Sequence, residues 1–333
     1  MKLSIIGAGS FGSALTLVAS RCNNEVMLWA HEQQVVDSIN TARNNALYLP
    51  QVAFPENVRA TSDLAEAAAF SDTIVMVVPS HHYRGVLEQF GKHVRGQVNV
   101  ISATKGIENK SLARMSEIVA EVLEEKLRAV AVMSGPTFAA ETARGDPTAA
   151  VIASADVVFA QDVQHMLSSS TFRLYRSDDV VGVELAGSLK NVIAIASGVL
   201  EGLGLGYNTT AALITRGLHE ITRLGMALGG RLETFAGLAG MGDLVLTCMG
   251  ALSRNRSVGV ALGRGKALKQ ILSETREVAE GVKTSKSAKE LADRHHIEMP
   301  ITAEMYRVLY DGEPPRSALQ RLMTRTLKAE AAR

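Results

Sequence analysis

The chain has little of several features that would place it in a special class. Its 333 residues include two cysteines, Cys22 and Cys248, too few for a disulfide framework or a cysteine-based zinc site, which fits a reducing compartment. Aromatic residues make up 5% and the net charge is +1, so we expect no base-stacking surface and no nucleic-acid partner. No run of about 18 uncharged apolar residues is present, so we expect no membrane span.

Apolar residues are plentiful, and their pattern changes near the middle of the chain. Hydrophobic residues make up 47%, enough for two ordinary domains. Several β-rich runs before residue 180 are apolar throughout, which is typical of a parallel sheet covered by helices on both faces. The predicted strands cover residues 3–6, 25–29, 73–78, 98–102, 129–133, 149–153 and 172–175. We predict an α/β, Rossmann-like doubly wound domain over 1–180 and a helical, substrate-binding domain over 181–333.

A glycine motif follows the first predicted strand and opens a helix. Gly7, Gly9 and Gly12 form a GxGxxG pattern. In such a motif the first glycine permits a tight turn, the second lets the backbone approach a pyrophosphate, and the third lets helix and strand pack closely. The helix N-terminus then offers free N–H groups to the phosphates. The alternative is a purely structural turn, but the context on both sides favours a dinucleotide site.

The end of the second strand bears on the choice between NAD and NADP. An acidic residue there would bind a ribose 2′-hydroxyl and repel a 2′-phosphate. This chain has His31, which can donate to a phosphate, followed by Glu32, which could still serve a hydroxyl. We predict NADP acceptance with NAD also possible, against the alternative of a solvated histidine at a loop edge.

Three further loops follow predicted strands, and parallel strands bring such loops to one crevice. They carry the pair His81 and His82, then Lys105, then Gly135 with Thr137. Lys105 is a candidate functional cation, and the last loop offers backbone N–H groups and a hydroxyl. The two histidines could be acid–base residues, but a polar helix start explains them equally well, so we assign them no role.

The helical half opens with an apolar segment, residues 183–200, that contains Lys190. A membrane span would leave a bare lysine at mid-depth, so a buried helix with a functional lysine is the better interpretation. Burial and a neighbouring cation such as Lys105 would lower its pKa towards neutrality. A lysine tuned in this way can donate a proton to a carbonyl oxygen. The alternative is a lysine whose amine reaches solvent from a core helix.

Two later segments complete the candidate constellation. Asp243 would be costly to bury without a partner such as Lys190. The consecutive residues Ser253, Arg254 and Asn255 are a plausible oxyanion pocket, because arginine supplies donors that match a phosphate. A capped helix with an exposed arginine is the alternative. Residues 181–333 carry 20 basic and 15 acidic side chains, which also favours an anionic ligand in this half. Glu280 has no function from local chemistry alone.

Together these segments resemble bacterial NAD(P)-dependent glycerol-3-phosphate dehydrogenases, in family order from residue 3 to about 310. The matching segments include GAGSFGSAL, ATKGIE, SGPTFAAE, GVELAGSLKNVIAIASG, GLAGMGDLVLTC, SRNRSVG and VAEGVKT. SGPTFA, LKNVIAI and GDLVLTC are far more specific than the glycine motif.

The resemblance implies reversible reduction of dihydroxyacetone phosphate to sn-glycerol 3-phosphate, which supplies phospholipid synthesis. It also implies NADP or NAD as cofactor, no metal, and a cytoplasmic homodimer. Lys190 would be the proton donor and acceptor. The implied substrate-binding residues are Lys105, Gly135, Thr137, Lys190, Asp243, Ser253, Arg254 and Asn255. The implied cofactor contacts, besides the three glycines, are Ser10, Phe11, His31, Lys105, Ala139, Arg254, Val278 and Glu280.

Two other functions share parts of this pattern. A 3-hydroxyacid or 6-phosphogluconate-type dehydrogenase has the same two-domain plan and a Lys-Asn helix, but its phosphate-site residues would differ from SGPTFA and SRNRS. A non-catalytic nicotinamide sensor would tolerate the loss of Lys190 and Asp243, yet both are present.

Overall fold

A computed structural model describes residues 1–274, 279–327 and 329–330. Val278, an implied cofactor contact, lies outside these residues. The strands of the first half are β1 Lys2–Ile6, β2 Glu25–Trp29, β3 Asn44–Asn45, β4 Leu49–Ala53, β5 Val58–Thr61, β6 Thr73–Met76, β7 Val98–Ser102, β8 Leu127–Ser134, β9 Thr148–Ala153 and β10 Phe172–Ser177. Strands β3 and β4 form a separate hairpin, and the other eight form one sheet in the order β10-β9-β8-β7-β6-β1-β2-β5. The Rossmann-like fold class is confirmed.

Helices cover the two faces of this sheet. They are α1 Ser10–Arg21, α2 Gln33–Ala42, α3 Leu64–Phe70, α4 Ser80–Gly91, α5 Met115–Leu123, α6 Ala139–Arg144 and α7 Val157–Leu167. One cluster of buried side chains lies on each face, around Leu3 and Ile5 on one side and around Ile6 and Met76 on the other. Because both faces are buried, the central strands are apolar at nearly every position.

The sheet departs from a purely parallel arrangement at one edge. The pair β8–β9 is antiparallel, so β9 and β10 run opposite to the other strands. As a result, the connection from Gly135 to β9 begins and ends at the carboxyl edge of β8, and Gly135, Thr137 and Ala139 all stay near that edge. The short edge strand β5 was not among the predicted strands. Its four residues mix apolar and polar side chains and give only a weak strand signal.

The second half is helical, as predicted. Its helices are α8 Val180–Gly202, α9 Tyr207–Ala227, α10 Leu232–Ala236, α11 Asp243–Met249, α12 Arg254–Gly263, α13 Leu268–Glu274, α14 Glu280–Arg294, α15 Pro300–Tyr306 and α16 Pro315–Met323. Single π-helical turns at Leu238–Gly242 and Arg307–Asp311 adjoin α11 and α15.

Helix α8 is the central element of this half, and α9, α11, α12 and α14 all pack against it. By length and composition it is apolar enough to cross a membrane, but 89% of its most apolar window is buried inside the molecule. Lys190 on this helix is 5% exposed, which confirms the prediction of a buried helix that carries a lysine.

Glycines let α12 approach α8 very closely, and this contact supports the segment 253–255 at the start of α12. A Cβ atom on Gly259 would collide with the carbonyl oxygen of Ile195 on α8. We expect Gly259→Ala to lower the free energy of unfolding by about 2–3 kcal/mol, because neither backbone can move without losing packing.

Urea unfolding of the two purified variants Gly259→Ala and Gly85→Ala tests this expectation. Gly85 is also inside a helix, α4, but nothing lies within 4 Å of its missing Cβ. Alanine there should be neutral or stabilising by up to ~1 kcal/mol. Equal unfolding midpoints for the two variants would show that the close contact of α12 with α8 at Gly259 does not matter for stability.

Candidate active site

The carboxyl ends of β1, β6, β7 and β8 meet at one edge of the sheet, and α8 packs against the same edge. Asp243, the first residue of α11, lies between two lysines there and is 1% exposed. Its Oδ1 accepts a hydrogen bond from the Lys190 ammonium, and its Oδ2 accepts one from Lys105 Nζ at 2.7 Å. The sequence analysis named Lys190 as a partner for Asp243 and Lys105 only as a cation near Lys190, and the fold brings both lysines onto one carboxylate.

Lys105 makes further contacts with the loop after β8. Its Nζ donates to the carbonyl oxygen of Gly135 at 2.9 Å and to Thr137 Oγ1 at 3.4 Å. In these contacts Gly135 supplies a carbonyl acceptor to Lys105, and the use of its N–H by a ligand stays a prediction. Gly135 has a φ of +154°, and a Cβ there would lie 2.8 Å from Ala150 Cα, so a side chain would displace the loop.

The environment of Lys190 lowers its pKa to about 7, mainly because burial disfavours the ammonium. The positive charge of Lys105 lowers it further, while Asp243 opposes both effects. The ammonium also donates to Thr247 Oγ1 at 2.7 Å. An amine with this pKa is populated in both protonation states near neutral pH, as general acid–base catalysis requires.

The glycine loop lies beside this cluster, and its three glycines have different roles. Gly7 has a φ of +118°, and a Cβ there would lie 2.8 Å from the carbonyl oxygen of Val77. A Cβ on Gly12 would collide with the carbonyl oxygen of Gly7. Around Gly9, in contrast, nothing lies within 4 Å of the missing Cβ. Gly9 therefore leaves room for a ligand to reach the backbone at the N-terminus of α1.

Both residues after Gly9 lie at the first turn of α1. The Ser10 hydroxyl donates to the carbonyl oxygen of Tyr48 at 3.0 Å. The Phe11 ring is half-buried, and its centroid lies 5.8 Å from Lys105 Nζ. Phe11 thus lies between the glycine loop and the lysine–aspartate cluster.

Two polar residues, His31 and Glu32, follow β2: one side chain is exposed and the other is hydrogen-bonded within the protein. His31 is exposed, with its ring centroid 6.3 Å from that of Trp29. Glu32 Oε1 accepts a hydrogen bond from the Tyr48 hydroxyl at 2.9 Å. The Glu32 carboxylate is therefore held by the protein, which leaves His31 as the better candidate for a ligand contact.

Comparison with known proteins identifies the family to which this arrangement belongs. Residues 2–160 match the N-terminal part, and residues 179–320 the C-terminal part, of NAD-dependent glycerol-3-phosphate dehydrogenases. The chain belongs to this family. The match confirms the sequence-based assignment of enzyme class, reaction and NAD(P) cofactor.

Similar proteins cover the full length of the chain. The glycerol-3-phosphate dehydrogenase [NAD(P)+] of Syntrophotalea carbinolica is 52% identical over 331 residues, which is 99% of this chain and 99% of that protein. The Geobacter sulfurreducens protein of the same name is 50% identical over 99% of this chain and 98% of its own length. The crystal structure of glycerol-3-phosphate dehydrogenase from Coxiella burnetii superposes with a TM-score of 0.93 at 41% identity, over 97% of this chain and 99% of that one.

Two polar residues of this glycerol-3-phosphate dehydrogenase site were missed at the sequence level. Thr247 lies one helical turn after Asp243 and contacts Lys190. The Asn191 side chain receives a 2.9 Å hydrogen bond from Asn255 Nδ2, and the Asn255 oxygen accepts from the Gly281 N–H at 2.9 Å. The four-residue spacing from Asp243 to Thr247 was the available signal for the first. The second depends on α12 reaching α8.

The segment 253–255 shows the capped helix with an exposed arginine that the sequence gave as the alternative, and the oxyanion pocket stays a prediction. Ser253 is buried, and its hydroxyl caps α12 by accepting from the Arg256 N–H at 3.2 Å. Arg254 is exposed at the first position of α12, while Asn255 points inward. A capped helix start and an inward-facing amide thus occur in the same segment.

Glu280 has a contact that its local sequence did not indicate. It begins α14, and its carboxylate accepts from the Ser80 N–H at 2.9 Å and from the Ser80 hydroxyl at 2.5 Å. It therefore binds the first turn of α4, and burial raises its pKa. Ala139 is the half-buried first residue of α6. Across the described ranges, no group of three or more His, Cys, Asp or Glu side chains could hold a metal ion.

Proposed function

We propose that the chain catalyses the reversible reduction of dihydroxyacetone phosphate to sn-glycerol 3-phosphate, with Lys190 as proton donor and acceptor. One observation carries the role of Lys190: a buried amine with a pKa of about 7 is aligned by Asp243 beside the open glycine loop. The family to which the chain belongs carries the choice of substrate.

The residues present fit a bound NADP or NAD. Gly9 leaves the backbone accessible at the N-terminus of α1, where no side chain caps the helix, so its N–H groups are available to a pyrophosphate. When bound, the nicotinamide supplies the hydride that reduces the carbonyl carbon. Ser10, Phe11 and His31 lie along the same edge and are the proposed contacts, together with Ala139 and Glu280.

Lys190 donates or accepts the proton that the reaction transfers. As the carbonyl carbon is reduced, negative charge grows on its oxygen, and an ammonium held in a buried site stabilises that charge and then donates its proton. Asp243 and Thr247 fix the direction of the amine. In the oxidation direction, neutral Lys190 accepts the proton from the hydroxyl of glycerol 3-phosphate.

The cations around this centre suit a phosphorylated substrate. We place the phosphate near Arg254 at the N-terminus of α12, since an arginine fork and a helix N-terminus both favour an anion. We expect Lys105, Thr137 and Asn255 to bind the rest of the substrate between Arg254 and Lys190. Binding the phosphate, which does not react, then positions the carbonyl for reaction.

A direct assay tests this function. Purified protein is mixed with NADPH or NADH, and nicotinamide absorbance is followed after addition of dihydroxyacetone phosphate. We expect oxidation of the cofactor only when the ketose phosphate is present. Cofactor binding without turnover, or turnover only of a 3-hydroxyacid or 6-phosphogluconate panel supplied with NADP+ or NAD+, would overturn the proposed substrate.

His31 provides a separate test of cofactor choice. We expect His31→Asp to weaken binding of NADPH by about tenfold or more and that of NADH much less, because a carboxylate repels a 2′-phosphate and can accept from a 2′-hydroxyl. Dissociation constants for the two cofactors, measured by titration, check this. Equal losses for both would show that His31 does not face the 2′-phosphate.

Three broader features belong to the same proposal. The resemblance supports a cytoplasmic enzyme that supplies glycerophospholipid synthesis. It also supports a homodimer, and exposed apolar side chains at four-residue spacing, Met241, Val245 and Met249, offer a surface that a second copy would cover. Light scattering coupled to size-exclusion chromatography distinguishes a dimer from a monomer.

A further inference from the structure

Glu184 is a buried carboxylate that none of the roles above uses. It lies on α8, is 6% exposed, and accepts three hydrogen bonds from the start of α5. The donors are the Ser116 N–H at 2.8 Å, the Ser116 hydroxyl at 2.6 Å and the Arg114 guanidinium at 2.7 Å. Burying a carboxylate is costly unless it is fully paired, so this contact holds α8 and α5 in one relative position.

The same face of α8 touches the loop that carries Lys105. Glu184, Gly187 and Asn191 share this face, because seven residues make nearly two turns of an α-helix. The Asn191 amide donates to the backbone carbonyl oxygen of Lys105 at 3.5 Å. A Cβ on Gly187 would lie 3.7 Å from Lys105 Cγ. Helix α8 thus contacts the segment 105–116 at both of its ends.

The segment 105–116 between these contacts folds back and is hydrogen-bonded to itself, so a shift at one end moves the other end. Ile107 and Arg114 form an antiparallel bridge, and the Glu108 N–H donates to the Ala113 carbonyl oxygen at 3.0 Å. Glu108 is in turn held by Arg84, with two hydrogen bonds of 2.9 Å. Arg114 is therefore opposite Ile107, only two residues from Lys105.

We infer that Glu184 is a positioning residue: through Arg114 and the closed segment 105–114 it keeps the Lys105 ammonium on Asp243. This inference rests on the proposed function, because its effect is read in turnover of dihydroxyacetone phosphate. Glu184 contacts neither lysine in the described structure, and its influence passes through the loop.

The first experiment compares two carboxylates that bind the same arginine. Glu184→Gln removes the charge that joins Arg114 to α8. Glu117→Gln removes an exposed carboxylate that binds Arg114 at 2.7 Å but belongs to α5 itself. We expect kcat/KM for dihydroxyacetone phosphate to fall about tenfold in Glu184→Gln and less than about twofold in Glu117→Gln, with the Kd for NADPH unchanged in both.

The second experiment asks whether the loss passes through Lys105. In a Lys105→Ala background, adding Glu184→Gln should change kcat/KM by less than about twofold, since the group it positions is already gone. A full tenfold loss in that background would overturn the inference, as would wild-type kinetics for Glu184→Gln alone. A merely structural role would instead lower kcat/KM to the same extent in both backgrounds.

Two controls keep the result interpretable. If Glu184→Gln does not fold, Ser116→Ala removes one of the three hydrogen bonds and should give a smaller loss that also disappears in the Lys105→Ala background. The wild type is assayed alongside. Wild-type turnover with an unaffected Glu184→Gln overturns only this inference, whereas absence of wild-type turnover overturns the proposed function and this inference with it.

Discussion

Replacing Lys190 by alanine is expected to lower kcat for dihydroxyacetone phosphate reduction by about a hundredfold or more, while the Kd for NADPH stays within about twofold. The variant lacks the group that stabilises and protonates the developing alkoxide, an effect expected to appear in kcat. The fold should survive, because Asp243 keeps its 2.7 Å hydrogen bond from Lys105. Initial rates at saturating substrate, with cofactor titrations, measure both quantities.

A matched control for that variant is Lys286→Ala, which removes a half-exposed lysine from α14. It should leave kcat and the melting temperature nearly unchanged, because surface ion pairs contribute little. An unchanged kcat in Lys190→Ala would remove Lys190 from the mechanism. A loss of cofactor affinity as large as the loss of kcat would show that the lysine supports the fold of the site instead.

Asp243→Asn is the second change with a large expected effect, and its effect depends on pH. The Asp243 charge raises the pKa of Lys190, so its removal lowers that pKa below about 7. The fraction of protonated Lys190 at pH 8 then falls, and kcat for reduction should drop about tenfold to a hundredfold there. At lower pH the ammonium re-forms, and part of the rate should return.

A rate profile from pH 5.5 to 9 checks this sign for Asp243→Asn. The falling limb should move to lower pH than in the wild type. Lys105→Ala should move the same limb to higher pH, because the Lys105 charge lowers the pKa of Lys190. A parallel loss of rate at every pH, with no movement of the limb, would mean that Asp243 does not act on the charge of Lys190.

Local sequence signals were sufficient for part of this site. The glycine loop has a fixed spacing after a strand, and Lys190 is conspicuous because it interrupts an apolar helix. Both features depend on neighbours in the sequence, and both lie where the pattern predicts. The strand-end rule also placed Lys105 correctly at the edge of the sheet.

Other contacts could not be obtained from local patterns, because they join distant segments. Glu280 binds Ser80 across 200 residues, and Asn191 receives its hydrogen bond from Asn255 across 64. Nothing in either local sequence identifies the partner. The same holds for Glu184, whose acidic side chain in an apolar helix is explained only when α5 is placed against α8.

The contact at Gly135 has a similar origin. The sequence indicated backbone N–H groups for a ligand in this loop, and it gave no sign that the Gly135 carbonyl accepts from Lys105. Which backbone group faces the lysine depends on the φ of +154° at Gly135 and on the antiparallel return of β9. Neither property can be read from glycine alone, because glycine permits many backbone conformations.

The most direct test of proton transfer by Lys190 is the pH dependence of kcat/KM in both directions of the reaction. If Lys190 transfers the proton, the reduction rate should fall as pH rises through about 7, and the oxidation rate should fall as pH drops through the same value. The substrate phosphate titrates at a pH of about 6, so Lys190→Ala, which keeps the substrate but lacks the amine, separates the two. We predict that the pH profiles of the two directions fall on opposite sides of the same pH, and that both dependences vanish in Lys190→Ala. Limbs that persist unchanged in that variant would contradict the assignment of Lys190.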